Sequence, residues 1–316
     1  MANPEQGVPV NPITAIHVGS PTIAGKVPPV NLEYWTEELR RTATPIGLPK
    51  LQLDPKAPLL IPEPNGALQS TGHGVGSAGM PTSAPAPRGV MQGGQPVPSP
   101  LDYPHRVCGR LFFNQGTGSF SGSASLIAPN VLLTAGHCVH QNGVWSTNMV
   151  FYPSYGSRAA TDPFYKIGCG RLGAKVSWVN NSDRAHDYGM AWMPSGPGNN
   201  IGWLGLLWNA SNNNRTWEAV GYPATPNPPF DGSKMDHCSG GFAASSVSGV
   251  QGLNNDNMEH GSSGGPWITN WNDTIPAHAN GLQSFHITDG DTTEYGPYFD
   301  GQIKDLFDWI QQPANH

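Results

Sequence analysis

Charge is scarce in this chain. Only 12% of its 316 residues are Asp, Glu, Lys or Arg, and the net charge is −6. Nothing resembles the basic stripe that neutralises phosphates, so no nucleic-acid partner is expected. No run approaches the ~20 apolar residues of a membrane-crossing helix, so no membrane partner is expected either. Met1-Ala2-Asn3-Pro4 opens without a basic patch or an apolar core, so no signal peptide is visible. Cysteine is limited to Cys108, Cys138, Cys169 and Cys238, with none before residue 108. There is no Cys-x2-Cys pair and no His-Glu-x2-His run, so no metal is expected, and nothing calls for a cofactor. Asp289, Asp291 and Glu294 lie close together but read as a solvated loop rather than a calcium site.

Glycine (40) and proline (32) are abundant, and 18 of the prolines precede residue 101. That skew divides the chain. Residues 53–100 are rich in Pro, Gly, Ala and Ser with little apolar periodicity, as in an extended or disordered segment. Leu32, Trp35 and Leu39 are spaced 3 and 4 apart, which predicts a short amphipathic helix within 31–41. Beyond residue 100, short apolar runs alternate with Gly, Asn and Pro turns, which predicts an all-β domain. Strands are expected at 110–113, 122–127, 130–134, 165–179, 188–193, 217–222, 241–250, 265–268 and 279–286. Ile303, Leu306, Phe307 and Ile310 predict a terminal helix over about 302–311.

One stretch carries most of the chemistry: Gly261-Ser262-Ser263-Gly264-Gly265-Pro266-Trp267. Glycines around a serine let the backbone turn sharply and aim N–H groups at one point. Gly261-x-Ser263-x-Gly265 also fits the nucleophile elbow of α/β-hydrolases. Chain order separates the two. Thr134-Ala135-Gly136-His137-Cys138 supplies a histidine after an apolar run, and Asp187 heads the run Tyr188-Gly189-Met190-Ala191. The order His137, Asp187, Ser263 is that of chymotrypsin-type proteases; hydrolases run Ser, Asp, His. About 50 residues remain after Ser263, too few to complete a hydrolase sheet. Asp183 is the rival acid, and Asp187 is preferred for the apolar run that follows it.

These segments resemble the trypsin-like serine peptidases, and most of all a branch of secreted bacterial enzymes near the glutamyl endopeptidases. Leu111-Phe112-Phe113, Ser123-Ala124-Ser125, Gly221-Tyr222-Pro223-Ala224, Cys238-Ser239-Gly240 and Gly296-Pro297-Tyr298-Phe299 carry the likeness, over roughly residues 107–300. The resemblance implies two six-stranded antiparallel β-barrels with a C-terminal helix over 101–316, and a propeptide or linker over 1–100. It implies secretion, protein or peptide substrates, a monomer, a triad of His137, Asp187 and Ser263, and an oxyanion hole from the N–H groups of Gly261 and Ser263. A non-catalytic binding module that kept the fold is the competing expectation.

The chain also departs from those relatives. They pair the cysteines at the Cys138 and Cys238 positions with partners where this chain has Gly122 and Asp256. Two rewired disulfides are therefore expected, Cys108–Cys238 and Cys138–Cys169 being favoured. The primary pocket is expected near Asn257, Met258 and His260, against Ser284, Phe285 and His286. Gln283 stands where glutamyl endopeptidases place a histidine, so His260 or His286 becomes the candidate to receive an acidic side chain. Ser262 replaces the aspartate that pairs with a new N-terminus in trypsin-like zymogens. Activation would then act by unblocking the cleft, and Arg106-Val107 resembles a cleavage point.

Overall fold

The computed structural model describes residues 16–18, 30–48, 50–51, 56–79, 93–269, 277–287 and 292–312. Its strands are β1 (Ile16–Val18), β2 (Thr44–Pro45), β3 (Gln69–Ser70), β4 (Gln95–Pro96), β5 (Cys108–Gln115), β6 (Gly118–Ala128), β7 (Val131–Thr134), β8 (His140–Gln141), β9 (Val144–Trp145) and β10 (Thr147–Pro153). They continue with β11 (Ile167–Gly168), β12 (Arg171–Lys175), β13 (Gly189–Trp192), β14 (Gly205–Trp208), β15 (Thr216–Gly221), β16 (Asp236–Ala243), β17 (Val250–Leu253), β18 (Pro266–Thr269), β19 (His278–Leu282) and β20 (Glu294–Pro297). Among the described residues the α-helices are α1 (Glu37–Thr42), α2 (Gly136–Val139), α3 (Val176–Asn181), α4 (Gly198–Ile201) and α5 (Gly301–Gln311).

Among the described residues the strands form two nine-stranded sheets and the small β8–β9 hairpin. The first sheet contains six strands from beyond residue 100 that pair in the order β12-β13-β7-β6-β5-β10, all antiparallel. The second contains β20-β17-β16-β15-β18-β19 in the same manner. Two six-stranded units plus a C-terminal helix make the chymotrypsin-like double barrel expected from the sequence. Extra strands extend each sheet: β11 and β14 come from the domain itself, and β1 to β4 come from the first hundred residues.

Apolar runs explain the burial. Leu126, Ile127, Val131, Leu132 and Leu133 are fully buried in the first unit, and Trp217, Trp267 and Leu253 pack in the second. Helix α5 buries Ile303, Leu306, Phe307 and Ile310, the stripe read from the sequence, with Asp300 capping its first turn through Gln302 N–H (2.8 Å).

Several expectations change. The helix within 31–41 begins only at Glu37, because the Thr36 side chain accepts from Leu39 N–H and caps it there. Trp35 is not on the helix; its ring is buried against Phe112 and its indole N–H donates to the Asn148 carbonyl at 2.7 Å. Residues 176–179 are helical rather than strand, because the chain turns into α3 and ends at Ser182 in the left-handed region. The strand expected over 241–250 is divided between the end of β16 and the start of β17.

The disulfides are also corrected. All four cysteines are free and buried. Cys108 and Cys238 belong to different core clusters, and the Cys138 thiol donates to the Ser263 carbonyl at 3.7 Å rather than turning to Cys169. The positions where relatives hold partners do face these thiols. A Cβ placed on Gly122 would lie 3.1 Å from Cys138 Sγ, and Cys238 is hydrogen-bonded to Asp256. Arg106-Val107 is no exposed cleavage point. It lies in a buried 3-10 turn where the Arg106 guanidinium donates to the Ile201 and Val75 carbonyls at 2.8 and 2.6 Å, and also to Gly79.

Candidate functional site

Two turns and one strand end meet in the cleft between the sheets. After β7 the chain enters α2, which carries His137. Before β13, Asp187 ends a short 3-10 turn. Strands β7 and β13 are paired, so the two residues that flank them are brought side by side. Asp187 Oδ2 meets His137 Nδ1 at 2.8 Å, and its Oδ1 accepts from the His137 backbone N–H at 2.7 Å. The Ser284 hydroxyl donates to the same Oδ2 at 2.5 Å. Gly136 is required there, since a Cβ would sit 2.8 Å from Asp187 Oδ1. Asp183 does other work: it caps Ala185 N–H and contacts His186 Nδ1.

His137 and Asp187 are fully buried. Burial disfavours charge on the ring, but the Asp187 carboxylate and the neighbouring Cys138 outweigh it and raise the His137 pKa. Burial works against the Asp187 charge too, yet its contacts with His137 and Ser284 hold the carboxyl below its usual range. The other ring nitrogen, His137 Nε2, is buried with no hydrogen-bond partner among the described residues.

The Gly261–Gly265 turn is fastened to the first sheet. Ser123 N–H donates to the Ser263 carbonyl (2.8 Å) and its hydroxyl to the Gly261 carbonyl (2.9 Å). Gly261 has φ +96°, and a Cβ there would meet the Tyr222 carbonyl at 2.6 Å, so only glycine suits it. Ser262 uses its hydroxyl on the Met258 and Glu259 carbonyls (3.1 and 2.6 Å). It therefore braces the turn from within and offers nothing for an incoming N-terminus.

Beside the turn lies a pocket lined by Glu259, His260, Ser263, Ser284, Phe285, His286 and Glu294. Four of the expected wall residues are thus brought together: His260, Ser284, Phe285 and His286. The other two are not. Met258 is fully buried among Trp217, Phe230 and Trp267, and Asn257 accepts from Gly94 N–H at 2.6 Å. Glu294 enters in their place. Its Oε1 accepts from Ser284 N–H (2.7 Å) and its Oε2 meets His286 Nε2 (2.8 Å). Burial opposes the His286 charge, but Glu294 outweighs it and the ring is pushed up to about 10. His260 is lowered by burial. The solvated-loop reading is corrected for Glu294, which starts β20 and is buried, while Asp289 and Asp291 lie outside the described residues.

The N-terminal segment supplies part of the pocket wall. Gly47, Leu48 and Lys50 line it as well. Ile46 lies at its mouth, and its carbonyl accepts from Gly261 N–H at 2.9 Å and from Ser263 Oγ at 3.3 Å.

No family model matches the sequence. Among solved structures the chain is similar to a thermostable serine protease, AL20, from an extremophilic microorganism: 28% identity, TM-score 0.57, covering 66% of this chain and 98% of that one. It is similar to the protease Anisep of Arthrobacter nicotinovorans at 28% identity and TM-score 0.58, covering 65% and 95%. A Glu endopeptidase shares the fold at 18% identity and TM-score 0.58, covering 70% and 98%. A curated relative, an extracellular metalloprotease of Bacillus subtilis (strain 168), is 26% identical over 112 residues, 34% of this chain and 35% of that protein. Among the described residues no three His, Cys, Asp or Glu side chains converge as a bound metal would need.

Proposed function

We propose that this trypsin-like serine endopeptidase works through His137, Asp187 and Ser263, and that the chain is a secreted precursor whose N-terminal segment covers the cleft through Ile46, Gly47 and Leu48. One observation carries the reading. A buried His137–Asp187–Ser284 relay leaves one ring nitrogen without a partner, in the same cleft as a serine turn whose Gly261 N–H already holds a carbonyl oxygen.

A serine hydroxyl is a weak nucleophile until a neighbouring base takes its proton. His137 Nε2 is the base, and Asp187 fixes the tautomer and steadies the imidazolium. Gly261 N–H, with that of Ser263, receives the charge that develops on the attacked carbonyl oxygen; losing one such donor costs about 10²–10³ in rate. The acyl group is carried on Ser263 and released by water, with His137 returning the proton first to the leaving amine and then to Ser263.

The substrate is a peptide. His286 carries a raised pKa at the pocket wall, which favours an acidic residue on the acyl side, while Glu294 beside it already answers part of that charge. The extracellular designation of the curated relative supports secretion. The test is incubation of the purified chain with a peptide library. It should cleave once the N-terminal segment has been removed, and Ser263→Ala should abolish cleavage. Equal cleavage by Ser263→Ala would refute the assignment.

A further inference from the structure

The segment that fills the cleft runs through it backwards. Strand β2 pairs with β6 in parallel, Thr44 beside Phe120 and Pro45 beside Ser121. Ile46 N–H then donates to the Ser121 carbonyl at 2.8 Å, and the Ile46 carbonyl accepts from Gly261 N–H at 2.9 Å. Gly47 sits on the His260 ring so tightly that a Cβ would lie 1.8 Å from His260 Nδ1. Leu48 is buried at the pocket, and Leu51 N–H donates to the His286 carbonyl at 3.3 Å.

A substrate must enter the other way. His137 protonates the leaving amine, and Cys138, the next residue, lies against Gly122 of β6, where an added Cβ would be 3.1 Å from its Sγ. The acyl half of a substrate therefore lies on the other side, along Ser284–His286. Its C-terminal half, the leaving side, then passes Ser121. Here Thr44, the N-terminal end, is on the leaving side, and Leu51, the C-terminal end, is on the acyl side. If Ser263 attacked the Ile46 carbonyl, the leaving nitrogen of Gly47 would point to His260 and the pocket. It would not point to the side from which His137 protonates a leaving amine.

We infer that residues 44–48, followed by Lys50 and Leu51, are a reversed strap, an inhibitor in cis that the enzyme holds but does not cut. The inference rests on the triad reading above and adds to it the direction of the strap and its resistance to cleavage. It follows that the strap, supplied as a separate peptide, inhibits without being consumed, and that activation requires a cut outside it.

The test compares labelling of Ser263 by a fluorophosphonate in the full chain, in Gly47→Val and in Ile46→Pro. The first substitution drives a side chain into His260 and the second removes the N–H given to Ser121. Both variants should label at least ~10-fold faster than the unaltered chain. A synthetic peptide of residues 41–51 should slow labelling of Gly47→Val and return intact by mass spectrometry. Equal labelling of the unaltered chain and both variants overturns the strap. Cleavage of the peptide or the chain at Ile46–Gly47 overturns its direction. Absence of label in all three chains overturns the triad reading, and the strap with it.

Discussion

At the scale of single residues, the site is a set of short contacts around one carboxylate. Asp187 receives the His137 ring, the His137 backbone and the Ser284 hydroxyl, all within 2.8 Å. A buried carboxylate so fully bonded stays ionised and fixes the ring that it holds. Asp187→Asn keeps the shape but presents an amide where the ring N–H needs an acceptor. It should lower kcat by about 10⁴ with little change in KM, as steady-state kinetics on the freed enzyme would report. These residues were legible in the sequence because each sits in a short local motif: a glycine before His137, an apolar run after Asp187, glycines around Ser263. Glu294 and the turned-in Met258 were not. Their roles depend on which way a side chain points after long-range pairing, and no local pattern encodes that.

At the scale of elements, the paired β7 and β13 deliver His137 and Asp187 together, while β6 pins the serine turn through Ser123. The fold class and helix α5 were legible from alternating apolar runs and from one clean 3-4-7 stripe. Strand β10 and helix α3 were not. Val176, Trp178 and Val179 are β-branched and aromatic residues that suit a strand, and tertiary packing overrode that preference. The cysteines teach the same lesson from the other side. Resemblance located the lost partner positions, Gly122 and Asp256, but the inferred rewiring failed because no two of the present thiols meet. Gly122→Cys should restore the bridge across β6 and α2. A thiol count under denaturing, non-reducing conditions should then find the new cysteine and Cys138 consumed, and Cys108, Cys169 and Cys238 still free.

At the scale of the whole molecule, four short strands from the first hundred residues join the two sheets. β1 and β2 extend the first sheet, and β3 and β4 the second. Composition alone read much of this region as extended or disordered, because edge strands of two or three residues leave no periodicity. The cleft they close contains the buried His286–Glu294 pair. Its pH dependence follows from the sign of the shift. The His286 ring is raised to about 10, above the usual histidine value of 6.5, so its stabilisation is complete below about pH 6.5. It is lost as pH rises through 10. The full chain should therefore lose thermal stability between those limits. Glu294→Ala should remove that slope and cost about 3 kcal/mol at pH 6, because the ion pair is lost and the buried ring gives up its proton. Calorimetric melting of both chains across pH checks both statements.

The central claim is that Ser263 takes up the acyl group. The direct measurement is a rapid quench of Gly47→Val with an activated ester substrate, followed by mass spectrometry of its peptides. The expected result is a near-stoichiometric acyl adduct on the peptide containing Ser263, absent when Ser263→Ala is added and unaffected by chelators. Turnover without an adduct on Ser263, or turnover abolished by a chelator, would contradict it.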